Sequence, residues 1–391
     1  MKIVLGLYLL FTAGIALAQG AIVELGELPQ DVSETSGLLF INDRVITHND
    51  SGGEALLFEI DTVSREITRT VTIANAINTD WEAISQDADY IYIGDFGNNL
   101  GMRQDLTIYR ISKSDYLDND TATAEAILFS YEDQTDFTNT GNSDWDAEAF
   151  FVLNDELIIL TKQWKSLGTV AYSIPKIPGS YSALRRDAVE NIGLVTDADY
   201  NPSNKTLFVL GYSSILIPFA RTYSLTDSSI FSDTFGTIPI DIGLAQVEGV
   251  TNDGAGNYLI SSEFFSRQSP NIVSLSRLFK ISQLEEEKEV EEESGGGAEE
   301  PNPNPNPLPE ENNEALVIFN EISTGTIRYS INSESPISGT RIYDVNGKAV
   351  WEQFNREIEK EGVVIQNMPT SVYYFVVYFD NSVRSKAFAV Y

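Results

Sequence analysis

The chain has 391 residues, no cysteine, one histidine, and 58 acidic against 25 basic side chains, for a formal charge of −33 at neutral pH. That balance excludes DNA or RNA as a partner, because nucleic-acid binding draws on clustered Lys and Arg to displace condensed counterions, and it disfavours anionic membranes likewise. Without cysteine there is neither a disulfide framework nor a thiol for a lipid anchor, so stability must come from a large apolar core.

The chain opens with Met1-Lys2, an apolar run from Ile3 to Ala16, and Ala16-Leu17-Ala18 before Gln19. A charged start, a short apolar stretch and a small-residue cleavage site read as a signal peptide over residues 1–18. The run is too short to span a bilayer comfortably and no second one of spanning length follows. A protein with no transmembrane span, secreted or held at the outer cell surface, is expected.

Residues 19–284 repeat one unit five times. An acidic residue opens an apolar run, a turn follows, and a second apolar run ends in polar residues. The openers are Glu34, Glu82, Glu148, Asp199 and Glu248, spaced by 48, 66, 51 and 49 residues, which is the period of propeller blades. The polar ends are His48-Asn49-Asp50, Gly94-Asp95, Thr161-Lys162, Gly211-Tyr212 and Ser262-Glu263. Outer strands are expected at Leu56 to Ile60, Leu106 to Ile111, Thr169 to Ser173, Arg221 to Leu225 and Arg277 to Ile281. Four-stranded sheets repeated around an axis are the propeller solution to exposed strand edges. The fold class is therefore an all-β β-propeller, with five blades favoured over six. Blade five is one strand short, and Ile22 to Leu28 has no blade of its own, so the N-terminal strand is expected to close the ring. The long 66-residue interval is assigned to a loop around Tyr131 to Asp144.

At Glu285 the text changes. Residues 285–314 hold twelve Glu and one Lys, with Asn-Pro repeats from Pro301 to Pro309, the composition of a stretched, solvated linker. Residues 315–391 then alternate apolar and polar positions in short runs: Ala315 to Phe319, Thr326 to Ile331, Gly339 to Tyr343, Val363 to Ile365, Tyr373 to Phe379 and Ser385 to Val390. Turns such as Asn346-Gly347 make this a small antiparallel β-sandwich. Three stretches carry a resemblance: Ile342-Tyr343-Asp344-Val345-Asn346-Gly347-Lys348-Ala349-Val350, Met368-Pro369-Thr370-Ser371-Val372-Tyr373-Tyr374-Phe375-Val376, and a last strand with Lys386. Together they resemble the C-terminal sorting domain of type IX secretion in Bacteroidetes, with Ser371 where that family usually has Gly. The resemblance implies export by the type IX machinery through residues 315–391.

Within each hairpin the opener lies beside the polar end of its own blade, so these pairs converge on one mouth of the channel. Structural repeats need sameness and sites need diversity, so the variable ends and loops are the better ligand-binding candidates: His48, Asp50, Asp95, Asn98, Asn99, Lys162, Trp164 and Glu263. Several carboxylates with few cations describe a hard-cation site, Ca²⁺ or Mg²⁺, with Glu82, Asp95, Glu148 and Glu248 as candidate metal ligands. A single histidine excludes a His-rich zinc or copper site. Recognised nucleophile and phosphate-loop motifs are absent, and no catalytic residue is assigned. Asp80-Trp81-Glu82-Ala83-Ile84, Asp146-Ala147-Glu148-Ala149-Phe150 and Val247-Glu248-Gly249-Val250 resemble blade openings of the propeller superfamily that includes phytase-like, esterase-like and lactonase proteins. In some of these a Glu at such a position, with Asn and Asp, holds a catalytic divalent ion, and Glu82 with Asp95 and Asn98 or Asn99 is the matching set. The expected function is a binding module for a glycan or peptide at the acidic mouth. The alternative is a divalent-metal-dependent hydrolase of an ester, lactone or phosphate.

Overall fold

The structure is a computed structural model. It describes residues 22–139, 141–226, 229–268 and 271–282, and in the C-terminal part 316–321, 326–331, 336–344, 348–354, 358, 360–365, 368–369, 371–379 and 383–390. The expected leader and linker lie outside the described residues. Among the described residues no helix is long and apolar enough to cross a membrane.

Five antiparallel blades follow in chain order. Blade one is Thr35–Ile41, Arg44–Asn49, Leu56–Asp61 and Ile67–Ile73, with a short fifth strand, Thr121–Ala122, added in parallel at its outer edge. Blade two is Trp81–Gln86, Tyr90–Asp95, Thr107–Ser112 and Ala124–Tyr131. Blade three is Asp146–Leu153, Glu156–Lys162, Thr169–Pro175 and Gly179–Val189, and blade four is Leu194–Asn201, Thr206–Tyr212, Pro218–Thr226 and Ser229–Pro239. Blade five takes Val247–Asn252, Tyr258–Ser262 and Arg277–Ile281 from its own stretch of chain, and its outermost strand is Ile22–Glu27 from the N-terminal end. The first strands of the five blades neighbour one another in cyclic order and so surround the axis. Five blades, not six, close the ring.

Closure works as the missing strand required. Ile22 pairs with Ile281 and Glu27 with Arg277, and the Arg277 guanidinium meets Glu24 at 3.0 Å. A second device protects edges between blades two and three. Their outer strands pair in parallel, Ile127 with Gly179 through Tyr131 with Ala183, giving one eight-stranded sheet. That parallel fusion was not expected from the sequence, and it leaves two fewer open edges for another chain to pair with. The long interval holds what was assigned to it, a loop at 132–145, together with a six-residue helix, Lys113–Asp118.

The core lies between blades because each sheet is apolar on both faces near the axis. Phe96, Phe129, Phe150 and Tyr172 fill the space between blades two and three, and Trp81, wholly buried, joins blades one and two. A buried aromatic of this size contributes about 1.5–3 kcal/mol, and repetition around the ring replaces the missing disulfides.

The C-terminal part is a sandwich of a three-stranded sheet, Leu316–Glu321, Thr326–Ile331 and Glu361–Ile365, and a four-stranded one, Ala349–Phe354, Ile337–Asp344, Ser371–Phe379 and Val383–Val390. Ala349–Phe354 is a strand absent from the sequence reading. Tyr343, Tyr374 and Val376 of the sandwich pack on Ile217 of blade four.

Candidate functional site

The first strand of every blade carries one extra residue near its start. In blade two, Trp81 pairs with Asp95 and Ala83 with Gly94, leaving Glu82 as the bulge. The same break leaves Glu148 unpaired in blade three, Thr196 in blade four and Glu248 in blade five. In blade one it falls between Ser36 and Leu39, where Gly37 has φ 69°. A bulge re-aims its side chain out of the ladder, and Glu82, Glu148 and Glu248 all border one cavity of about 260 Å³ at the channel mouth. At Gly37 a Cβ would stand 2.8 Å from the Ile84 nitrogen, so blade one can place no side chain at that position.

This register corrects two of the five openers. Glu34 is exposed and precedes the bulge of blade one. Asp199 lies three residues beyond the bulge of blade four, where it accepts the Asn252 N–H at 3.2 Å and ties blade four to blade five. Other ties between first strands are Ser36 Oγ donating to the Glu82 carbonyl at 2.6 Å and Asp197 accepting the Val250 N–H at 2.7 Å.

The cavity is bordered by five carboxylates, Asp50, Glu82, Glu148, Glu248 and Glu263. Among the described residues, Asp50, Asp80 and Glu82 offer carboxylate oxygens that all lie within 4.8 Å of one another. Local structure brings them together. Asn78 donates to the carbonyls of Asn49 and Asp50 at 3.0 and 2.7 Å and accepts the Trp81 N–H at 3.1 Å, pinning the end of blade one to the start of blade two. Asp50 also accepts the Ser51 N–H. Gly97 lies against both Asp80 and Glu82, where any Cβ would collide with their carboxylates. Burial, then the neighbouring carboxylates, pushes Asp80 up to about 7. Burial likewise raises Asp50 to about 6 and Glu82 well above the usual range.

The same cavity is bordered by a cation. Lys162 Nζ stands 3.1 Å from Glu148 Oε1 and over the rings of Trp164 and Tyr212, at 4.8 and 5.2 Å. Burial alone would lower its pKa, but Glu148, Tyr212 and Glu248 outweigh it and hold the ammonium charged. Trp164 is fixed by its indole N–H, which donates to Asp146 at 2.7 Å, and the other Asp146 oxygen accepts the Asn98 N–H at 2.5 Å. Glu248 is 5 % exposed and its Oε2 has no hydrogen-bond partner. Burial raises Glu248 to about 7, and burial with Glu248 and Asp50 nearby raises Glu263 to about 9.

Of the residues nominated from sequence, Asp50, Glu82, Asn99, Glu148, Lys162, Trp164, Glu248 and Glu263 border the cavity. Three do not. Asp95 is locked to Arg103 at 2.9 Å and accepts the Asp80 N–H at 3.1 Å, so it braces the Gly94 to Asn99 loop from behind. Asn98 accepts the Arg103 N–H at 2.9 Å and donates to the Trp145 carbonyl at 3.4 Å. His48 is fully buried, set edge-on against Trp81 at 5.5 Å, and burial lowers its pKa to about 4. Its position rules it out as a general base at the mouth.

The sequence reading places Tyr212 at the mouth as a polar end without nominating it as a ligand, and does not nominate Asp80, Asp146 or Gln246 at all. A signal for those last three was present: Asp80, Asp146 and Gln246 each stand two residues before a bulge Glu, in Asp80-Trp81-Glu82, Asp146-Ala147-Glu148 and Gln246-Val247-Glu248.

No protein-family model matches the chain, and no curated protein matches it. Among solved structures, it is similar to a chain of a mitotic checkpoint complex, with a TM-score of 0.32 and 9% identity over 71% of this chain and all of that one. It is also similar to a putative oxidoreductase (glucose dehydrogenase) from Thermus thermophilus, with a TM-score of 0.38 and 9% identity over 67% of this chain and all of that one. Likeness at that level says nothing of activity, and the propeller assignment rests on the blade order and pairing described above.

Proposed function

We propose that the protein is a secreted or surface-held binding propeller whose channel mouth takes a divalent cation at Asp50, Asp80 and Glu82 and a polar ligand beside it. The observation that carries this reading is the three-carboxylate cluster, two members of which, Asp50 and Glu82, border a cavity that Lys162, Trp164 and Tyr212 also border. Three carboxylates, one oxygen each, supply up to half of the six to eight oxygens that Ca²⁺ takes at 2.3–2.6 Å. The donor set is all oxygen, as a hard cation requires, and the missing side chain at Gly97 leaves Asp80 and Glu82 room to approach. Placement outside the cytoplasm is supported by the leader-like start and the sorting-domain resemblance of residues 315–391.

The test is calorimetric titration of Ca²⁺ into the chelator-treated mature chain, with Asp80→Asn alongside. Saturable binding lost in Asp80→Asn is expected. Absence of heat together with an unchanged melting curve would overturn the cation site.

One observation favours a second reading, a metal-dependent hydrolase. A Glu263 held neutral at pH 7 and a charged Lys162 border the same cavity, so a proton donor and a fixed positive charge are both available to a bound ester or lactone. Turnover of such an ester, lost in Glu263→Gln without loss of folding, would place the protein among enzymes.

A further inference from the structure

A second cavity, of about 220 Å³, is bordered by residues next in sequence to some of those at the channel mouth. The two are built from the same three chain segments. Asn99, Asn142 and Trp164 border the mouth, and Gly101, Ser143 and Lys165, one or two residues further along each segment, border the second. Ligand sites for small molecules occupy about 300–1,000 Å³. Neither cavity reaches that range alone, and their two volumes taken together do.

The segments that border the two cavities are tied to their surroundings by hydrogen bonds. Gln134 Nε2 donates to the Gly101 carbonyl at 2.9 Å, the Trp164 N–H donates to the Ser143 carbonyl at 3.4 Å, and Asp144 accepts the Lys165 N–H at 2.7 Å. Trp145 borders the second cavity and is backed by Tyr131, ring centroids 5.5 Å apart, which is itself backed by Tyr172 at 4.6 Å. An aromatic held this way is preformed, so a ligand stacking on it loses little extra entropy in ordering it.

We propose that the two cavities form one bipartite site for a neutral glycan of two or more sugar units, with one unit at the channel mouth and the next beside Trp145. The inference rests on the reading of the mouth as a ligand site and extends it. Aromatic walls meet the C–H faces of sugar rings while Thr138, Ser143 and Asp136 offer hydroxyl and carboxylate partners to sugar hydroxyls. The acidic mouth repels uronic or sulfated sugars. An extended peptide would draw on a free strand edge for its backbone groups, and the residues that border the second cavity lie in loops.

The experiment is calorimetry of the full mature chain, with Ca²⁺ present, against neutral gluco-, manno-, xylo- and N-acetylglucosamine oligosaccharides of one to six units. Affinity for one of these series is expected to rise about tenfold or more from one unit to two or three and then level off. Trp145→Ala is expected to remove that gain and leave single-sugar binding unchanged, with a retained cooperative melting transition, lowered by the lost packing on Tyr131, as the folding control. A length-independent affinity, or a gain that survives Trp145→Ala, would overturn the bipartite site. Binding of unrelated extended peptides with no binding of any sugar would overturn the glycan class. Glu248→Gln separates the two levels of the argument. If only the extension is wrong, it weakens every sugar while Trp145→Ala weakens none; if the mouth is no ligand site, it changes nothing.

Discussion

Lys162 and Glu148 form an ion pair at 3.1 Å with both side chains almost wholly withdrawn from solvent. The pair sits among Asp146, Glu248 and Glu263, so the lysine is the counterion of a whole group rather than of one partner. Removing one member of a buried pair costs about 3–5 kcal/mol because the other charge is left uncompensated. Lys162→Met should therefore lose about that much stability at pH 8 in urea unfolding. At pH 5, where Glu248 and Glu263, held at about 7 and 9, are protonated, the loss should be smaller. An equal loss at both pH values would show that the lysine contributes packing and not charge.

Stability should fall as the pH rises above neutrality. Asp199 and Glu248 are held at about 7 and Glu263 at about 9, all above their unfolded values, so the folded state binds more protons and loses stability as these groups ionise. His48 acts in the opposite sense: held at about 4, it takes up its proton more readily when unfolded, which costs stability as the pH falls through 6.5. The two slopes oppose one another between about 4 and 6.5, and the decline is unopposed from 6.5 to 9. Melting curves in chelator across that range check it, and a flat or rising profile would contradict the burial of these groups.

Gly37→Ala should be among the most damaging small substitutions. It places a Cβ at φ 69° and 2.8 Å from the Ile84 nitrogen of the next blade, combining backbone strain with overpacking, each about 1–3 kcal/mol. Gly141→Ala, also at positive φ but with open space around it, should cost only the strain. The difference between the two in denaturant midpoints isolates the blade contact.

Arg103→Ala should weaken Ca²⁺ binding without touching the cation. The guanidinium holds Asp95 at 2.9 Å and the Gly97 carbonyl at 3.0 Å, and so fixes the loop on which Asp80 and Glu82 rest. A drop in affinity of about tenfold or more, with the fold retained, is expected by calorimetry. Unchanged affinity would mean that the loop holds its shape without the arginine.

Deleting residues 22–27 should expose the Arg277–Ile281 strand as an open edge and leave blade five with three strands. Loss of a cooperative melting transition and concentration-dependent association are expected. Light scattering of the truncated chain reads the second effect directly.

The blade count, the closing strand and three of the bulge residues could be read from the sequence because a propeller repeats its hairpin in every blade. The register within the hairpin could not. An extra residue near the start of each first strand breaks the two-residue alternation, so counting from Glu34 or Asp199 lands off the position that Glu82, Glu148 and Glu248 share. Nothing local marks Gly37 and Thr196 as the corresponding residues, since the bulge is defined by its partners across the ladder. Asp95 and Asn98 look like ligands in a Gly-Asp-Phe-Gly-Asn-Asn string, and only Arg103, placed five residues or more further on, turns them inward. The parallel pairing of Ala124–Tyr131 with Gly179–Val189 joins residues about fifty apart and has no signature in either strand.

The position of Arg277–Ile281 bears on how the propeller takes load. It is the last strand before the C-terminal part of the chain, and it lies inside its sheet, with Tyr258–Ser262 on one side and Ile22–Glu27 on the other. Tension arriving from the C-terminal end runs along this strand and is shared by two ladders in shear, so their hydrogen bonds must yield together. Had the strand been outermost, the same pull could have peeled it away one bond at a time.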